Sequence, residues 1–279
     1  MPSAAEISPR RAAFAEVVSR FDIVAIEEAR EDLSALRLVL EALGDSWGLI
    51  ATDVTRGRAG NNERLVFVFD TRRLRPSGLA GELVVALEEE TDVTSSDLER
   101  QFARTPYAVS FTTGREELTL VVLHVLWGEN EAERVPELRE IAAWLADWPR
   151  REEMWSKNLL ALGDFNVDRG PLYDALAATG LTTPAELESV PRTIFDSPGK
   201  QHFYDQIAWF AENGNRSVLS LGFLSAGSFD FVPILQGGFT KNQLSWKISD
   251  HYPLWVEFSL PLGRAELRGA RPVAHWPRR

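Results

Sequence analysis

A run of core-type apolar residues, Leu159-Leu160-Ala161-Leu162, stops abruptly on Gly163-Asp164-Phe165-Asn166, leaving an acid and an amide two residues apart where the apolar pattern ends. If the run is a buried strand, Asp164 and Asn166 emerge together at its C-terminal end, because side chains two apart share one face. A rigid element can aim a carboxylate and an amide at one substrate atom from there. The same residues also read as a strand end closed by an Asp/Asn turn. The rest of the chain has to decide between the two.

Ala13, Phe14, Val17 and Val18 fall at helical spacing, and Phe21 to Ile26 then reads as a buried strand ending at Glu27-Glu28. Leu33, Leu36, Leu40 and Leu43 share one helical stripe, closed by Gly44 as a C-cap. Trp47–Ala51 and Arg64–Phe69 follow as strands that can pair through the Gly/Asn/Arg loop between them. The stretch from Pro76 to Arg104 is weakly patterned and polar, and is expected to meander over the surface with short helices. Tyr107–Thr112 and Leu118–Val125 form a strand pair around Thr113-Gly114-Arg115. An amphipathic helix from Glu131 to Trp148 leads across to the strand at Leu159, and another helix is expected over Pro171–Thr179. The last third alternates short apolar runs (206–210, 218–219, 229–231, 254–258) with turn signals. Hairpins mixed with helix-linked strands imply an α/β chain built as two packed mixed sheets with helices outside.

With 279 residues, 44% hydrophobic, and nine Trp, the chain can bury a sizeable core in one domain, expected over residues 1–262 with a frayed tail at 263–279. The absence of cysteine excludes disulfides, thiolate metal sites and a cysteine nucleophile, so any bound metal is a hard cation held by oxygen or imidazole. No basic leader followed by an apolar segment opens the sequence, and no run approaches the roughly 18 apolar residues that span a bilayer, so a cytoplasmic protein is expected. A formal charge of −11 works against non-specific binding to a polyanion. Arg56, Arg58, Arg64, Arg72, Arg73 and Arg75 nevertheless crowd one region, leaving room for a local positive patch.

Strand ends supply Glu28, Glu63, His124, Asp164, Asn166, Asp205 and the pair Asp250-His251. A phosphodiester hydrolase needs a divalent cation held by carboxylates, an oriented water with a base, and donors for charge developing on phosphate. All those residue types are present. His251 is a candidate general base or electrostatic partner of the scissile phosphate, since an imidazole held by a carboxylate titrates where it can move a proton. Arg30, Arg56, Arg58 and Asn62 lie where guanidinium and amide groups could hold flanking phosphates. Trp127 and Trp209 could stack on a base, although tryptophans so placed are more often core. His202 and His275 have no motif around them and read as surface residues.

Taken in order, Asp22–Glu28, Asn62-Glu63-Arg64, Leu123-His124, Gly163–Asn166, Tyr204–Ile207 and Ser249–Leu254 resemble the motifs of the endonuclease/exonuclease/phosphatase superfamily, the fold of pancreatic-type deoxyribonuclease. The resemblance spans roughly residues 10 to 260. It implies a four-layer α/β/β/α sandwich and a phosphodiester hydrolase dependent on Mg²⁺ or Mn²⁺, with DNA as first substrate and a small or lipid phosphoester as the alternative. It implies further that Glu28 binds the metal, with Asp250 able to face it, and that Glu27 stands where many relatives have Gln. Asp164 would orient water or assist the leaving group, Asn166 would donate to a phosphoryl oxygen, Asp205 would hold His251, and Glu63 would pair with His124. Relatives also open with a strand bearing an Asn beside the metal, which Met1–Pro9 does not match; a protein that keeps the fold without turnover is the reading of another class.

Overall fold

A computed structural model describes residues 9–55, 62–83, 104–125, 131–148, 156, 158–168, 180–197, 199, 201–212, 216–235 and 239–261. Its centre of order is strand β3 (Glu63–Asp70), flanked antiparallel by β1 (Ile23–Arg30) and β2 (Trp47–Ala51) in the order β1-β3-β2. Val66, Phe67, Val68 and Phe69 of β3 are at most 4% exposed although they alternate between faces, so both faces of this sheet are covered. The outer face, Val66 and Val68 with Val24 and Ile26, packs under α1 (Pro9–Val18) and α2 (Ser34–Leu43) through Val18, Leu36 and Leu40. The inner face, Leu65, Phe67 and Phe69, meets Val109, Phe111, Leu120 and Val122 of a second sheet, with Phe67 and Phe69 edge-on to Phe111.

That second sheet has seven strands: β4 (Arg75–Glu82), β5 (Tyr107–Thr113), β6 (Glu116–His124), β7 (Leu159–Asp164), β8 (Leu181–Thr182), β9 (Asp205–Glu212) and β10 (Arg216–Ser217). Its far face, including Val121, Leu123 and Ala161, is covered by Leu138, Ile141, Leu145 and Trp148 of the helix α3 (Glu131–Asp147) and the turn that follows. Helix, sheet, sheet and helix therefore stack as four layers. The β6–α3–β7 passage joins parallel neighbours, and β9 returns antiparallel to β7. A hairpin of β11 (Gly222–Ser228) and β12 (Leu254–Ser259) encloses two short helices, α4 (Val232–Leu235) and α5 (Lys241–Lys247).

The structure departs from the expectations in particular places. Residues 75–82 form the edge strand β4 rather than a meander; Pro76, which removes a donor, is tolerated at an edge with a register shift between Pro76 and Ala80. Strand β1 does not stop at the paired acids but bulges between Ile26 and Ala29 and runs on to Arg30. Residues 218–219 and 229–231 lie outside strands. The expected helix at 171–179, the loop positions Arg56 and Arg58, Trp127, and the tail at 263–279 with His275 fall outside the described residues.

Candidate active site

Strand register alone brings three of the expected site residues into line. Asp164, last in β7, is the register partner of His124 on β6 and of Asp205 on β9, so His124, Asp164 and Asp205 form a row across one sheet end. Both oxygens of Glu27 accept the Asp164 backbone N–H, at 3.1 and 3.0 Å, tying the β1 bulge to this row. Gly163 makes that approach possible. With φ at +127°, a Cβ there would run into the Glu27 carboxylate and the Leu123 carbonyl, so glycine is required where an acid must reach a strand's backbone.

His251 completes the cluster: its Nδ1 lies 2.8 and 3.0 Å from the two oxygens of Asp205. Burial works against its charged form, but the Asp205 hydrogen bond and the charges of Asp205, Asp164 and Asp250 outweigh it and raise its pKa to about 10. Asp164, desolvated and next to Asp205, is raised to about 6. Glu27 is pushed well above the usual carboxylate range, first by burial and then by Asp164 and Asp205. Glu28 is raised as well, by desolvation and by Glu63. Glu28 holds the left-handed backbone region at φ +54°, which is costly for a residue other than Gly or Asn and typical of functional sites.

These groups line one cleft of about 1330 Å³, whose walls include Glu27, Glu28, His124, Asp164, Asp205 and His251, with Asp250 and Arg30 exposed along it. Asn62 is exposed just before β3 and is not part of that lining. Three expectations are corrected. Asn166 does not share a face with Asp164: its φ of +51°, with its N–H bonded to Asp164 Oδ1 at 2.8 Å, breaks the alternation. It is 3% exposed and its amide donates to the Val125 carbonyl at 2.7 Å, so it fixes the ends of β6 and β7 instead of pointing at substrate. Glu63 is bound at 2.7 Å by buried Arg104 and stands 3.9 Å from His124 Nδ1, too far for a hydrogen bond. Trp209 packs in the core; His202 is exposed, as expected, and bonds Asp168 at 2.8 Å.

The group most underweighted from the sequence is Glu27, which occupies the floor while Glu28 sits at the mouth. A strand reading cannot locate the bulge that separates them. Trp246 on α5 is 87% exposed at the cleft, and its one signal in the sequence is its place shortly before Ser249-Asp250-His251.

The donor set suits a hard divalent cation. Glu27, Glu28, Asp164, Asp205 and Asp250 face one cleft, and three of them are held above the ordinary carboxylate pKa by burial and by one another. Asp164, Asp205 and His251 offer one ligand atom each within 4.8 Å of one another.

No protein-family model matches the sequence, and no curated protein matches it. Solved structures do. An endonuclease/exonuclease/phosphatase family protein from Bacteroides thetaiotaomicron superposes with a TM-score of 0.61 at 18% identity, over 92% of this chain and 90% of that one. The chain has the endonuclease/exonuclease/phosphatase fold. D. rerio TDP2 complexed with a single-strand DNA product matches at TM-score 0.58 and 12% identity, over 92% of this chain and 94% of that chain. ANGEL2, described as a 2′,3′-cyclic phosphatase and bound to adenosine-2′,3′-vanadate, matches at 0.61 and 16%, over 91% and 87%. At these identities the likeness is one of fold. No helix among the described residues is long and apolar enough to cross a membrane.

Proposed function

We propose that this protein is a divalent-metal-dependent phosphodiester hydrolase, its domain spanning residues 1–262, with DNA as the first substrate class and endonucleolytic cleavage as the reaction. The observation that carries the reading is the row His124–Asp164–Asp205 capped by His251 at one cleft floor. Asp205 keeps the His251 imidazole charged, so His251 acts as a proton donor and electrostatic clamp on a phosphoryl or leaving oxygen rather than as a base. Asp164, with a pKa of about 6, is mostly ionised at neutral pH and basic enough to take a proton from an attacking water. His124, neutral and buried, borders the same space, and Asn166 and Gly163 keep Asp164 and Glu27 in place.

Glu28 and Asp250, with Glu27 on the floor beside them, would hold Mg²⁺ or Mn²⁺, which when bound polarises phosphate and lowers the pKa of water. Arg30 on the rim would grip a flanking phosphate, and Arg56, Arg58 and Asn62, which the sequence suggests for the same role, are proposed to assist. TDP2 carries single-strand DNA and ANGEL2 a cyclic nucleotide analogue on this fold, which supports a nucleotide phosphodiester as substrate. The net charge of −11 favours a second reading, a small or lipid phosphoester. A panel of plasmid, single-stranded DNA, RNA, sphingomyelin and inositol phosphates, each with Mg²⁺ or EDTA, separates them. Plasmid nicking that EDTA abolishes is expected; turnover of the small or lipid esters alone selects the second reading, and no turnover of any substrate sinks both.

A further inference from the structure

Trp246 is the most exposed large apolar side chain among the described residues, at 87%, and it stands on the wall of the same cleft that holds the acids. An indole left in water forgoes the stabilisation that burying roughly 150–250 Å² ordinarily gives an aromatic ring. The helix that carries it turns it outward. Leu244 of α5 is fully buried in the cluster with Phe231 and Tyr252, and a residue two further along lies about 200° round the helix, on the opposite side.

That helix is fixed at both ends. Thr240 caps it with Gln243 in a reciprocal capping box, and the N–H groups of Ile248 and Ser249 both donate to the Leu244 carbonyl, at 2.7 and 3.2 Å. Lys241 Nζ donates to the Ile194 carbonyl at 2.8 Å, and the preceding Thr193 bridges antiparallel to His251. The indole is thus presented on a rigid frame five residues before His251, so that a ligand held there demands little ordering of the protein. Lys247, exposed on the same wall, has its ammonium 4.6 Å from the Phe239 ring centre. The other exposed residues of α5, Lys241, Asn242 and Gln243, are polar. A membrane-inserting face needs a contiguous apolar surface, and this one offers a single ring beside a cation.

With a formal charge of −11 the chain gains little from neutralising many phosphates, so affinity for a polynucleotide has to come from a neutral contact. A flat π face beside one cation is such a contact, because every base has a face to stack and a phosphate next to it. Resting on the reading of the cleft as a phosphodiesterase, we propose that Trp246 is a stacking platform for a nucleobase of the bound strand, with Lys247 taking a phosphate of the same strand. A base inside a duplex has both faces covered by its neighbours, so the platform engages only a base that is unpaired or swung out of the stack. The cleft thereby selects single-stranded or locally opened nucleic acid over closed duplex.

The test is binding of a fluorescein-labelled single-stranded oligodeoxynucleotide, and of the same sequence as a blunt duplex, read by anisotropy in EDTA. Trp246→Ala is expected to weaken the single strand by roughly 10-fold to 100-fold and the duplex by less than about twofold, while Trp246→Phe keeps most of the affinity. Lys247→Ala should lower the slope of log affinity against log salt by roughly 0.7. Oligonucleotides with one abasic position, walked along the strand, locate the stacked base: where it is missing, Trp246→Ala has no further effect. The proposal is overturned if the wild-type chain does not bind the single strand, if Trp246→Ala weakens both forms alike or neither, or if no abasic position abolishes the effect. Loss of binding to phosphatidylserine vesicles in Trp246→Ala with unchanged DNA affinity would make the residue a membrane contact and overturn it too. Because nothing is hydrolysed in EDTA, a strand held through Trp246 but left uncut with Mg²⁺ retains the stacking and sinks the hydrolase reading alone.

Discussion

Two imidazoles border the same cleft, one charged and one neutral. His251 is 35% exposed at the side chain and is raised to about 10; His124 is 6% exposed and lowered to about 3. Burial alone would push both down, and carboxylates lie near both. The difference is whether a carboxylate is bonded to the ring and free to spend its charge on it. Asp205 meets His251 Nδ1 at 2.8 Å. Near His124, Glu63 is already committed to Arg104, Glu27 is itself raised toward its neutral form, and both stand 3.9 to 4.0 Å from Nδ1, which has no hydrogen-bond partner among the described residues. Desolvation, with Arg104 and His251 as repelling cations, then keeps His124 neutral. Partner geometry, more than depth, assigns the acid and the neutral ring.

The largest test of that contrast is catalytic. His251→Ala and Asp164→Ala are each expected to lower plasmid cleavage by roughly 10³-fold or more with unchanged circular dichroism, while His124→Ala loses roughly 10-fold to 100-fold. Undiminished cleavage by purified His251→Ala would remove the imidazolium from the mechanism, and equal losses at the two histidines would erase the distinction.

A smaller effect isolates the partner. Asp205→Asn keeps the shape of the contact but removes its charge, so the His251 pKa should fall from about 10 toward the ordinary 6.5, with His124 almost unmoved. Proton NMR titration of the ring Cε1–H signals in EDTA reads both at once. A His251 pKa still near 10 in the variant would mean that Asp164 and Asp250 hold the charge without Asp205.

Much of this site could be read before any coordinates, because its residues sit at the ends of strands whose apolar patterns are strong. Asp164, Asp205 and His124 line up because strand order and register, once the core faces are fixed, leave them nowhere else to go, and His251 reaches them from the segment before β12. What could not be read is local backbone. The β1 bulge puts Glu27 on the floor and Glu28 at the mouth, and a left-handed turn swings Asn166 inward; both are departures from alternation that periodicity cannot register. Likewise β4 was hidden by Pro76, Ser77 and Gly78, whose weak strand preference is overruled by pairing with β5.

The smallest effect is on stability, and its sign differs between the two rings. Between about 3 and 6.5 the unfolded chain protonates His124 while the folded chain does not, so this residue's share of stability is complete above 6.5 and is lost as pH falls toward 3. His251 behaves in reverse: from 6.5 to about 10 the folded chain keeps a proton that the unfolded chain releases, so its share is complete below 6.5 and is lost as pH rises through 10. Together they contribute a maximum near pH 6.5 to the metal-free protein. Thermal midpoints in EDTA should therefore fall less steeply on the acid side in His124→Gln and less steeply on the alkaline side in His251→Gln, each by roughly a few degrees. If both variants flatten the same limb, the two rings carry the same charge, and the opposition between a bonded and an unbonded imidazole is wrong.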